Sequence, residues 1–114
     1  MEKSLDILME LGEEALLQEL GREIVHFQGS PLTSKQLESI AKRWLQGKRE
    51  FISEKICTSN QIKELVNTEG YSKELILAIC DLIISIQFGI SPLLVAVLIV
   101  KGGLNKICET YWSV

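Results

Sequence analysis

Leu93 to Val100 reads LLVAVLIV, eight residues without one polar side chain. A helix that is apolar around its whole circumference has to be enclosed by other helices, by a partner or by lipid. This run therefore constrains the chain more than any other stretch does. A second apolar segment precedes it: Leu75 to Phe88 reads LILAICDLIISIQF, with Asp81 and Gln87 as its most polar members. Between the two lies Gly89-Ile90-Ser91-Pro92. Glycine ends one helix, serine caps the next, and proline suits a first helical position because its missing N–H would have no intrahelical partner there. The expected centre of the fold is an apolar helical hairpin, residues 73-88 and 92-101.

The residues before position 72 are patterned to surround such a hairpin. Leu5, Leu8, Gly12, Ala15, Leu16, Leu20, Ile24 and Phe27 recur at three and four residues, which places them on one face of a helix running from a Ser4 cap to about Phe27. Gly12 and Gly21 mark bends, or points where another helix comes close. Gln28-Gly29-Ser30-Pro31 then stops that helix. Thr33-Ser34-Lys35-Gln36 has the form of a capping box and opens a second helix reaching about Ile56. Its buried face is predicted from Leu37, Ile40, Ala41, Trp44, Leu45, Phe51, Ile52 and Ile56, while Lys42, Arg43, Lys48, Arg49 and Lys55 point outward.

Thr58-Ser59-Asn60-Gln61 repeats the capping signal for a short helix through Ile62, Leu65 and Val66 that ends near Gly70, and Ser72 caps the next. On that next helix Glu74, Ala78, Asp81 and Ser85 fall within about 60° of one another, a narrow wet stripe on an otherwise apolar cylinder. Gly102-Gly103 interrupts the last apolar run, and Ile107, Cys108, Tyr111 and Trp112 are expected to close the bottom of the core. The prediction is an all-α fold: a single domain, residues 1-114, formed as a compact bundle of about six helices around the apolar hairpin.

Charge and cysteine content narrow the function classes. A net charge of -3 argues against general nucleic-acid binding, which shows as a basic balance. The charge is unevenly placed: residues 1-30 carry Lys3 and Arg22 against seven acids, whereas residues 31-66 carry seven bases against four. The two segments are thus expected to lie side by side, with weak electrostatic support. The alternative use of the bases is a docking face for an anionic partner. Cys57, Cys80 and Cys108 have no C-x-x-C spacing and are odd in number, so the expectation is three buried thiols with neither zinc nor a disulfide framework. The N-terminal segment has no basic, apolar, cleavable succession, so cytoplasmic residence is the default expectation.

Catalytic patterns are sparse. His26 is the one histidine, and no nucleophile elbow, Walker loop or dinucleotide fingerprint is present. Arg22-Glu23-Ile24-Val25-His26 resembles in outline the arginine and histidine pair of the HEPN helical endoribonucleases, which implies an RNase that uses Arg22 and His26. The interval is shorter than that family's, and Glu23 stands where the family carries another polar residue. No cofactor is expected. A membrane hairpin is the other alternative, but neither apolar arm reaches the roughly 20 residues that span a bilayer. Asp81 at mid-arm would cost about 2.5 to 3.5 kcal/mol in lipid. The expected function is therefore non-enzymatic: an adaptor, regulator or immunity-type module that acts by protein-protein contact or self-association. Leu94, Val97, Leu98, Tyr111, Trp112, Lys42, Arg43, Lys48 and Arg49 are its candidate interface.

Overall fold

The computed structural model describes residues 5-25, 32-69, 73-84 and 90-112. Local side-chain chemistry sets where several helices begin. The Thr33 hydroxyl accepts the Gln36 amide at 3.2 Å, and the Gln36 side-chain oxygen accepts the Thr33 amide at 2.9 Å, a complete capping box. It opens α3, Ser34–Cys57, the longest helix. Ser59 Oγ accepts from the Ile62 amide at the start of α4, Asn60–Glu69. Ser91 Oγ accepts from the Leu94 amide at 3.3 Å, with Pro92 in the first turn of α6, Pro92–Ile107. The remaining elements are α1, Leu5–Glu10; α2, Glu13–Ile24; α5, Lys73–Ile84; and the single turn α7, Glu109–Trp112. No strand occurs among the described residues, and the fold is an all-α bundle around the apolar hairpin of α5 and α6.

The predicted first helix is two helices. Gly12 is extended, at φ -73° and ψ 166°, and serves as the N-cap of α2. The break has a tertiary cause as well as a glycine: Lys101 Nζ of α6 donates to the carbonyls of Met9 and Leu11, at 2.5 and 2.6 Å. Those carbonyls lie at the end of α1, where intrahelical donors run out and a cation is favoured. Gly103 adopts φ 108° and ψ 79°, a non-helical conformation open to glycine, so the helical path of α6 is interrupted at a kink where the break was expected, and its last turn resumes beyond it. The caps expected at Ser4 and Ser72, and the stops expected at residues 28-31, Gly70 and Gly89, lie outside the described residues.

The packing settles what encloses LLVAVLIV. Every residue from Leu94 to Val100 is buried, and α5, α2, α1 and α3 all pack against α6. Leu16 and Leu20 of α2, Ile56 of α3, Ile62 of α4 and Leu75, Ile79 and Ile83 of α5 complete one hydrophobic core with them. The α5-α6 hairpin is antiparallel, since Ile76 near the start of α5 shares a cavity wall with Val100.

The pair α2 and α3 is also antiparallel. Gly21 lies against Leu37, Gln18 Nε2 donates to Glu38 at 3.3 Å, and Leu17 and Glu13 reach the level of Leu45 and Arg49. The acidic and basic segments do sit side by side. A polar contact across them is the hydrogen bond from the Gln18 amide to the Glu38 carboxylate. A Cβ at Gly21 would lie 2.3 Å from the Leu37 carbonyl oxygen, so this glycine is where the two backbones meet.

Candidate functional surfaces

The nine residues predicted as an interface are scattered by the fold. Leu94, Val97 and Leu98 are enclosed by the chain's own helices, so they offer no surface to a partner. The reason is numerical: the amphipathic faces of α1, α2, α3 and α5 together cover α6 on every side. Lys42, Arg43 and Arg49 are exposed on α3 and Lys48 is half-buried. Tyr111 is 44% exposed and Trp112 is half-buried.

Helix α3 carries a feature that its periodicity hides. Of its buried residues, Leu37, Ala41, Ile52 and Ile56 cluster on one arc, and Ser53 and Cys57 extend it on the side away from Trp44. Phe51, predicted to share that arc, is one residue and therefore 100° away from Ile52, and it is 54% exposed. Ile40, Trp44, Gly47 and Phe51 are spaced by four, three and four residues, so they share an arc of about 60° beside the core face. Ile40 and Trp44 are half-buried, and Gly47 and Phe51 are exposed. A Cβ at Gly47 would meet nothing within 4 Å, so the stripe has a notch between its two aromatic side chains. Lys48 and Lys55 border it on one side, and Glu54, Arg43 and Glu50 follow on the other.

Helix α5 has an exposed arc too, displaced from the predicted one. Glu74 and Asp81 are exposed as expected and Ala78 is half-buried, while Ser85 lies outside the described residues. The centre of the arc is instead apolar, with Leu77 at 49% and Ile84 at 54% exposure. Lys73 at its head pairs with Asp6 of α1 at 2.5 Å. The hydrogen bond to the Asp6 carboxylate, and then its charge, raise the Lys73 ammonium above its usual range.

The thiols differ from expectation. Cys57 at the end of α3 and Cys108 after α6 form a disulfide, with Cα atoms 5.2 Å apart; Cys80 alone is free, and it is buried. The two cysteines are 51 residues apart, and only the return of the chain past Gly103 brings them together. The Trp112 indole N–H donates to the Cys57 carbonyl at 2.9 Å, which satisfies a terminal acceptor of α3. The C-terminal turn is therefore tied to α3 by one covalent bond and one hydrogen bond.

Another long-range contact completes a cap. The Ser91 amide donates to Glu23 Oε1 of α2 at 2.9 Å. In a capping box that acceptor comes from the third helical residue, which in α6 is the apolar Leu94, so α2 supplies it from 68 positions away. The carboxylate also lies at the positive end of the α6 dipole.

Arg22 is exposed and pairs with Glu19 at 2.8 Å within α2. His26, the other half of the RNase reading, lies outside the described residues. No cluster of three metal-ligating side chains occurs among the described residues, and no described helix is long and apolar enough to cross a membrane. No protein-family model, curated protein or solved structure matches the chain.

Proposed function

We propose that this chain is a non-enzymatic binding module that acts by contact with another protein, and that the outer stripe of α3 is its contact surface. The observation that carries the reading is Phe51, more than half exposed and in helical register with Trp44 and Ile40. Phe51 is joined on that face by the exposed edges of Ile40 and of Trp44, which also packs against the core, and Arg43, Lys48 and Lys55 outnumber Glu50 and Glu54 around them, a make-up that suits an interface. Aromatic side chains anchor such contacts because they bury a large area at a small entropic cost. The basic border favours a partner with acidic residues around an apolar ridge, through the speed and orientation of encounter more than through affinity. Self-association through the same stripe is the second form of this reading, with Gly47 allowing close approach.

We propose cytoplasmic residence, a reading that the Cys57–Cys108 disulfide of the structure opposes, because cytoplasmic thiol pools hold such pairs reduced. Recovery of the intact disulfide from host cells whose thiols were blocked at lysis would move it to an oxidising compartment.

The test is affinity capture from the native host with wild type and Phe51→Glu, run beside light scattering on both pure proteins. A partner, or a dimer, that is present with wild type and lost with Phe51→Glu at unchanged helicity is the expected result. A monomer whose captured proteins are the same for both forms would refute the surface. Nuclease activity lost in His26→Ala would refute the class.

A further inference from the structure

On the other side of α3, where it packs with α2 and α6, the core is left incomplete. Leu17, Leu45, Ile52 and Leu98 wall a cavity of about 260 Å³. That is near the small end of ligand sites, with room for a short hydrocarbon body. The pocket is open to solvent, its lining combines this apolar wall with Glu13, Gln46, Arg49 and Lys106, and a guest with an apolar body would release water from the wall.

Its opening is charged. Arg49 of α3 and Lys106 of α6 both line it, and both also line the adjoining surface depression with Glu50 and Glu109. Neither cation has an ion pair among the described residues. Glu13 lies on the α6 kink side, its Oε1 3.7 Å from where a Gly102 Cβ would be. Gly102 itself leaves that wall without a side chain, and its backbone is outside the left-handed region.

We propose that this cavity binds a small amphipathic anion, with a medium-length alkyl body against Leu17, Leu45, Ile52 and Leu98 and a carboxylate or phosphate head held by Arg49 and Lys106. The guanidinium presents paired donors that match either head, and Lys106 adds a second positive charge across the opening. Glu13 repels the same head from the Gly102 side, which gives the guest one orientation. The site is independent of the α3 stripe, because Arg49 and Ile52 lie on a different arc of that helix from Trp44 and Phe51.

Calorimetric titration of the full chain with octanoate, octyl phosphate, octanol and octylammonium tests this. One molecule of octanoate or octyl phosphate should bind per chain, and whichever binds more tightly identifies the head group as carboxylate or phosphate. Octanol should bind at least about tenfold more weakly, and Arg49→Gln with Lys106→Gln should lower anion affinity by about tenfold or more, the value of one charge-assisted bond. Gly102→Leu should plug the cavity and abolish binding with helicity retained. The exposed Arg49 and Lys106 changes leave the core untouched, so they keep the test decisive if the leucine variant fails to fold. Octanol binding as tightly as octanoate, anion affinity unchanged in the double variant, or no binding of either anion would overturn the proposal.

Discussion

Alanine at Gly21 and alanine at Gly47 should shift stability in opposite directions, although both glycines are inside helices. Either change gains about 0.8 to 1.0 kcal/mol of helix propensity. At Gly47 the new methyl meets nothing within 4 Å, so that gain should appear almost whole. At Gly21 the methyl carbon would lie 2.3, 2.8 and 2.9 Å from the O, C and Cα atoms of Leu37. These are backbone atoms in the first turn of α3, so no rotamer change relieves the overlap. Lengthening the nearest contact from 2.3 to 3.0 Å requires α2 and α3 to part by roughly 0.7 Å. Interiors resist such displacement because a gap of that size forfeits much of the dispersion energy of the side chains along it. Overpacking of this kind costs about 1 to 3 kcal/mol, which outweighs the propensity gain. The net expectation is a loss of up to about 2 kcal/mol for Gly21→Ala and a gain of about 1 kcal/mol for Gly47→Ala. Urea unfolding followed by far-ultraviolet circular dichroism reads both as midpoint shifts at a constant slope. If Gly21→Ala is as stable as Gly47→Ala, the close approach of α2 and α3 is refuted.

Reducing the Cys57–Cys108 bond opens a loop of 51 residues and should lower stability by about 4 kcal/mol on the chain-entropy relation; equal urea midpoints with and without reductant would contradict the pairing. In the same protein unreduced, Cys80 should be the one thiol to react, and only after denaturation. Glu23→Ala removes the acceptor from the Ser91 amide and should cost about 1 to 2 kcal/mol, whereas no change in the unfolding midpoint would show that solvent takes over the cap. Val97→Asp places a charge at a position with no exposure and should abolish the cooperative transition; a variant that still unfolds cooperatively near the wild-type midpoint would mean that α6 is not enclosed.

What the sequence revealed depended on the distance over which each device acts. The Thr33-Gln36 box and the Ser59 and Ser91 caps work across three residues, and the fold contains them where they were expected. Enclosure of Leu94 to Val100 was legible for a different reason, since no other outcome suits so apolar a run outside lipid or a partner. The Cys57–Cys108 bond, the Glu23 cap and the Lys101 contacts were hidden because each joins residues more than 50 positions apart. The surfaces failed for a third reason. Phe51 is apolar and was assigned inward, and Leu77 and Ile84 lie outside the predicted wet stripe, but apolar identity does not fix exposure, and a helix of fixed pitch can turn only one arc to the core.

The position of α6 along the chain has a consequence for synthesis. Helices α2 and α3 are neighbours in sequence and can pair as soon as both have left the ribosome. The faces they reserve for α6 stay uncovered until residues 94-104 have followed, at about 5 to 20 residues per second. For the seconds in between, the nascent chain presents Leu16, Leu20, Ile56, Leu75, Ile79 and Ile83 with their central partner still missing. Chaperone demand should therefore be concentrated in the interval just before α6 emerges, and rare codons over residues 85-100 would lengthen it.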